Sequence, residues 1–167
     1  KLELLGNRMR RQVAQGAVQN QAERPMITAQ DDKLISLDLI DSLIKFDTTS
    51  RESNLELIHF VRDYLAGHGV DATLIHNESG AKANLFATVG PVGDGGVVLS
   101  GHTDVVPVDG QDWATDPFQV HEKDGRLYGR GTSDMKGFCA IALSLVPDMV
   151  AKGLSLPIHF ALSYDEE

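Results

Sequence analysis

Two apolar segments of this chain end in side chains that belong in water or around a cation. Val97-Val98-Leu99 passes through Ser100-Gly101 into His102 and Asp104. Ile158-His159-Phe160-Ala161-Leu162-Ser163-Tyr164 runs straight into Asp165-Glu166-Glu167. Short apolar runs of this kind read as buried strands. A sheet built from them must carry its polar groups beyond the strand ends, and in open α/β sheets ligands collect outside the carboxyl ends of the strands. A third acidic point, Asp134, lies in Gly-Arg-Gly-Thr-Ser-Asp-Met-Lys-Gly, where a glycine-loosened loop leads into a helix.

The rest of the chain supplies helices to cover such a sheet. Asp31 to Phe46 is patterned as an amphipathic helix, with Leu34, Leu37, Ile40 and Ile44 on one stripe. A second helix follows, with Ser53 and Glu56 at capping-box spacing and Leu57, Phe60, Val61 and Leu65 facing inward. Strands are expected at Val70–His76, Asn84–Val89 and Leu156–Tyr164, and a short, fully buried one at Val97–Leu99. A hairpin is expected across 120–128, turning at Lys123-Asp124-Gly125. A helix should run from about Asp134 to Lys152, ended by Gly153. This alternation predicts an α/β fold, a three-layer sandwich around a mixed, mostly parallel sheet.

Composition bounds the function more than it defines it. Hydrophobic residues make up 42% of the 167, enough for a sizeable core, and no apolar run approaches the roughly 18 residues of a membrane span. The net charge is −9, which argues against nucleic acid as a partner. Residues 1–24 run against that balance, with five basic and two acidic side chains. Residues 1–25 are Gln-, Arg- and Ala-rich and lack the apolar core of a signal peptide. We read them as an extension, disordered or upstream of the natural start, with the domain beginning at 26. The single cysteine, Cys139, excludes an internal disulfide and fits a cytoplasmic setting. It sits among apolar neighbours, as a core residue does.

Each chemical feature has a plain structural alternative. His102 and Asp104 are two apart on an extended chain and can point the same way. A metal-bound histidine needs its second ring nitrogen held, most often by a carboxylate such as Asp104 would offer, yet His-x-Asp alone is better read as a polar loop. Three consecutive carboxylates form a solvated loop unless water is excluded, in which case cations must compensate them. Strand alternation would send Glu166 and Glu167 to different sides. Asp134 can serve as a helix N-cap, in competition with Ser133, or bridge two cations about 3.5–4 Å apart. His159 reads as a satisfied strand histidine. His59, His68, His76 and His121 read as packing or surface residues. Trp113 and Phe118 read as anchors of the loop after His102, and Arg130 as the partner of a nearby carboxylate.

Three stretches, "SGHTDVVPVDGQDWATDPF", "DGRLYGRGTSDMKGF" and "FALSYDEE", stand in the order and spacing of the M20 family of dinuclear zinc peptidases and deacylases, which the chain resembles from about Leu34 to its last residue. "FDTTSRESNLELIHFVRDYLAGHGV" and "KANLFATVGP" favour a deacetylase branch over the desuccinylase branch. The resemblance implies two zinc ions, with cobalt as a substitute. His102 would bind one, Glu167 the other, and Asp134 would bridge them. Glu166 would be the general base, Asp104 would orient His102, and a cis peptide would follow Asp134. It implies a small N-acyl amino acid as substrate, with no nucleic acid or membrane partner. The family carries further ligands downstream, and a lid domain through which it forms homodimers. The expectation is therefore that 26–167 is the N-terminal part of an incomplete catalytic domain, inactive alone. Desuccinylase, carboxypeptidase and aminoacylase activities remain open, as does a non-catalytic metal-binding α/β module.

Overall fold

The computed structural model describes residues 29–167. The reading of residues 1–25 as an extension lies outside them, as does the side chain of Leu34. Helix α1 spans Ala29–Ile44 and α2 spans Leu55–Gly67. Strands β1 (Ala72–His76), β2 (Ala83–Val89) and β3 (Val97–His102) follow, then a small hairpin of β4 (His121–Lys123) and β5 (Arg126–Tyr128). Helices α3 (Lys136–Ser144) and α4 (Val146–Lys152) precede the last strand, β6 (Ile158–Ser163). No described helix is long and apolar enough to cross a membrane.

The main sheet has the order β1-β2-β6-β3. β1 pairs antiparallel with β2 and β2 antiparallel with β6, while β3 runs parallel to β6 with His102 opposite Ser163. The α/β class and the mixed sheet are as expected, and parallel pairing is confined to β3 and β6. That pairing has a direct consequence. The two strands that end in His102 and in the acidic run finish side by side at one edge of the molecule, although some 60 residues separate them in sequence.

The core lies on one face of the sheet. Ala83, Leu85, Ala87 and Val89 of β2 and Phe160 and Leu162 of β6 alternate into it. They meet Leu39, Ile40, Leu43 and Ile44 of α1, Leu57, Ile58, Val61 and Leu65 of α2, and Cys139, Ala140 and Leu143 of α3. The other face presents Ile75, Phe86 and Val98 to solvent. Most expected elements are found, with shifted bounds and orientation. The α1 stripe is centred on 39–40 and 43–44, leaving Leu37 only half-buried. The expected 134–152 helix is two helices broken at Leu145, because Pro147 lacks the N–H that a continuing helix needs. Val97 and Val98 are exposed, at 58% and 56%, rather than fully buried, because β3 forms the outer edge of the described sheet.

The capping box does not form. Asn54, not Ser53, precedes the first turn of α2. The Asn54 side chain is turned away to Ala83, accepting from its N–H at 3.0 Å and donating to its carbonyl at 2.9 Å. The Ser53 hydroxyl donates to the Ala81 carbonyl. Both residues therefore tie the helix start to the start of β2.

Candidate metal centre

His102 is the last residue of β3 and is only 5% exposed. Its Nδ1 lies 2.9 Å from the backbone carbonyl of Asp104. A carbonyl only accepts, so Nδ1 carries the proton and Nε2 is the nitrogen free to receive a cation. Nε2 faces acids: Asp134 Oδ1 is 3.0 Å away and Glu166 Oε2 is 3.5 Å away. Burial disfavours the imidazolium. The Asp104 carbonyl and the Asp134 and Glu166 carboxylates favour it more strongly, so the His102 pKa is raised.

The partner of Nδ1 differs from the simplest reading of His-x-Asp. The Asp104 carbonyl is the near acceptor, and the carboxylate Oδ1 stands at 3.6 Å. The carboxylate has a second task. Its Oδ2 accepts the backbone N–H of Glu167 at 3.1 Å, joining the end of β3 to the acidic run after β6. Asp104 is 2% exposed, and its Oδ1 has no hydrogen-bond partner.

Asp134 arrives from the loop before α3, and the peptide joining it to Met135 is cis. Gly137 allows that loop to close on itself. A β-carbon there would lie 2.1 Å from the Thr132 carbonyl oxygen, a contact no side chain tolerates. The next anchor is Lys136, which is completely buried and whose Nζ donates to the Phe46 carbonyl at 2.6 Å. Burial pushes its pKa down to about 8, against the pull of Asp47, Cys139 and Asp104. Cys139 is a core residue, as expected, with a thiol pushed up to about 12 by burial.

The acidic run does not continue the strand. Asp165 has φ +57°, which breaks the alternation that would have sent Glu166 and Glu167 apart. Ligand atoms of His102, Asp134 and Glu167 lie within 4.8 Å of one another, and Glu166 stands beside them. Among the described residues, no lysine or arginine forms an ion pair with Asp134, Glu166 or Glu167; the basic group they meet is His102. A neutral imidazole nitrogen among carboxylates is a donor set that fits a divalent cation such as zinc.

Several residues of this frame escaped the sequence reading. Asn54 donates to Thr103 Oγ1 at 3.0 Å, and the Thr103 hydroxyl donates to the Ser163 carbonyl. Thr48 donates to the Thr103 carbonyl. These bonds fasten the start of α2, the end of β3 and the end of β6 together. Their signal in sequence is only that small polar residues flank the motifs. The loop after Asp104 is braced as expected of Trp113, but through Gln111. Its Oε1 accepts from both Trp113 Nε1 and an Arg130 nitrogen, and Arg130 lies over the Trp113 ring. Arg130 thus meets an amide and a ring instead of a carboxylate. His159 bonds Thr88 and stacks on Phe86, a structural role.

An imidazole and converging carboxylates beside the ends of two parallel strands of a mixed α/β sheet define a candidate metal-binding scaffold. Residues 98–167 match the sequence model of peptidase family M20/M25/M40. The chain is 43% identical over 117 residues to acetylornithine deacetylase of Pasteurella multocida (strain Pm70), a match covering 70% of this chain and 30% of that protein. It is 39% identical over 128 residues to acetylornithine deacetylase of Proteus mirabilis (strain HI4320), covering 75% and 33%. Among solved structures it is similar to human carnosine dipeptidase 1, with a TM-score of 0.68, 23% identity, and coverage of 81% of this chain and 33% of that one. A metallo-carboxypeptidase of the M20 family from Sulfolobus solfataricus gives a TM-score of 0.69 at 23% identity, covering 78% and 31%. The chain belongs to the M20/M25/M40 peptidase family, and it spans about a third of the length of the relatives it matches.

Proposed function

We propose that this chain carries the N-terminal part, residues 26–167, of the catalytic domain of a metal-dependent amide hydrolase. Its substrate is N-acetyl-L-ornithine and its products are acetate and ornithine, an amino acid on the route to arginine. The observation that carries the reading is the meeting of His102, Asp134 and Glu167 within 4.8 Å at the paired ends of β3 and β6. The identity of about 40% to acetylornithine deacetylases supports the choice of substrate.

His102, Asp134 and Glu167 would hold the zinc, His102 and Glu167 each on a different ion and Asp134 shared between them. Zinc, when bound, supplies Lewis-acid polarisation of the amide carbonyl and acidifies water. The protein's own groups do the rest. The Asp104 carbonyl keeps the proton of the neutral His102 ring on Nδ1, so that in this tautomer the Nε2 lone pair faces the cation site. The Asp104 carboxylate holds the Glu167 backbone, fixing where the acidic run enters the site. Glu166 is the general base. It takes a proton from the attacking water and returns it to the departing amine nitrogen, so that the C–N bond breaks with a neutral leaving group. Within this reading the enzyme works as a homodimer joined through a lid domain.

The test is turnover of N-acetylornithine against N-succinyl-diaminopimelate by the protein carrying the whole domain, with zinc counted on the same sample. E166Q should keep its zinc and lose at least about a hundredfold in kcat. H102A should lose zinc. Full activity in H102A, or a preference for the succinylated substrate, overturns the assignment.

A further inference from the structure

Three carboxylates in a row repel one another, and the site uses only two of them. Asp165 is the odd one, and it is turned away from His102 toward Lys82, at the start of β2. The Lys82 ammonium pairs with Asp165 Oδ1 and donates to the Ser50 carbonyl at 2.5 Å. It lies 6.0 Å from the centre of the Tyr164 ring. Its side chain is 14% exposed, while that of Asp165 is 51% exposed. Asp165 is also the residue held in the left-handed region, and this conformation is what turns Glu166 and Glu167 back toward His102.

Ser50 gives the contact its reach. Its N–H donates to the Val105 carbonyl, and the Val105 N–H donates to the Thr48 carbonyl. The segment 48–50 is therefore bonded along the backbone that carries Asp104. Asp104 in turn accepts from Glu167. One ammonium thus closes a ring: Lys82 to Ser50, Ser50 to Val105, Asp104 to Glu167, and Asp165 back to Lys82. Tyr164 is held from the other side, its N–H donating to Asn84 Oδ1 at 3.2 Å.

We infer that Lys82 is a positioning residue of the metal centre: by binding Asp165 and the Ser50 carbonyl together it fixes the turn that aims Glu166 and Glu167 at His102. It touches neither substrate nor metal. The inference rests on the metal-centre reading above, and its test separates the two. In metal-free protein, K82M should speed amide exchange in residues 163–167 by about tenfold or more, because the turn opens locally. In Co²⁺ titrations K82M should bind at least about tenfold more weakly, with altered visible absorption, as loss of an outer support typically does. K82R keeps the charge and should return affinity to within about threefold of wild type. D165N leaves the Ser50 contact intact and should move exchange and affinity in the same direction, less far. It decides the matter should K82M fail to fold.

A purely structural lysine would lower thermal stability but leave Co²⁺ affinity, its spectrum and the exchange of 163–167 unchanged, and that result overturns the inference. Wild-type protein that binds no Co²⁺ would instead defeat the metal-centre reading, while the exchange experiment would still judge Lys82.

Discussion

The two strand ends that meet at the site are built differently. At the end of β3, residues 101–105 are all buried and the groups are held by the fold around them: His102 by a backbone carbonyl, Thr103 by the Asn54 side chain and the Ser163 carbonyl, Val105 by the Thr48 carbonyl. At the end of β6, Asp165, Glu166 and Glu167 are all exposed. They are held by one lysine and one N–H to Asp104. The imidazole side is part of the folded frame, whereas the carboxylate side is a surface turn pinned from outside. A buried polar group must be paired or its loss costs stability, but an exposed carboxylate can be replaced with little effect on folding. Stability and metal binding should therefore separate along this line.

The largest departure is expected on the frame side. G137A forces a β-carbon to within 2.1 Å of the Thr132 carbonyl, a backbone atom that cannot rotate aside. Overpacking of this kind should cost about 3 kcal/mol in denaturant unfolding, and it should displace Asp134 and weaken metal binding as well. Unaltered stability would show that the loop before α3 yields easily, and that the frame is not rigid there. N54A should come next. It strands the N–H and C=O of Ala83, a residue with no exposure, and should cost about 2 kcal/mol. E166Q, at the other strand end, should change stability by less than about 0.5 kcal/mol. Equal losses for N54A and E166Q would erase the distinction between the two ends.

The same division decides what could be read from the sequence. The elements that carry the site announce themselves because strand runs and their polar ends are local: the His102 and acidic motifs, the hairpin turning at Asp124-Gly125, the helices α1 and α2. What holds the site together is not local. Nothing in residues 97–102 says that they lie parallel to 158–163, yet that register alone brings His102 beside the acidic run. Asp104 was legible as a partner for His102, but a backbone carbonyl has no letter in a sequence. Its role in holding Nδ1 therefore exists only in the folded chain, as does the bond from Glu167 to the carboxylate. Lys82 and Asp165 are 83 residues apart, and a lysine before a strand is ordinarily a surface group. Asn54 and Thr103 look like turn residues. The exposure of Val97 and Val98 reflects an edge position, which hydrophobicity cannot report. In each case the local pattern lacks the same thing, where segments distant in the chain lie in the fold.

The smallest expected effect tests how far the frame extends from the site. Tyr64 of α2 donates its hydroxyl to the Leu143 carbonyl at 3.1 Å, tying that helix to the last turn of α3, whose first turn follows Asp134. Burial raises the Tyr64 pKa above its ordinary value, because the phenolate would lose its hydration. An unfolded chain releases this proton near pH 10, while the folded chain keeps it longer, so above that pH the native state binds more protons than the unfolded one. The contribution is fully present below about pH 10 and is lost as pH rises toward the raised native value. Y64F should lose about 0.5–1.5 kcal/mol at neutral pH, the worth of one hydrogen bond, and its stability should fall less steeply than wild type above pH 10. Chemical denaturation across pH 7–11 measures both. Identical alkaline slopes would assign that limb to other groups. A change in Co²⁺ affinity in Y64F would show that the helix layer, and not only the strand ends, sets the geometry of the metal centre.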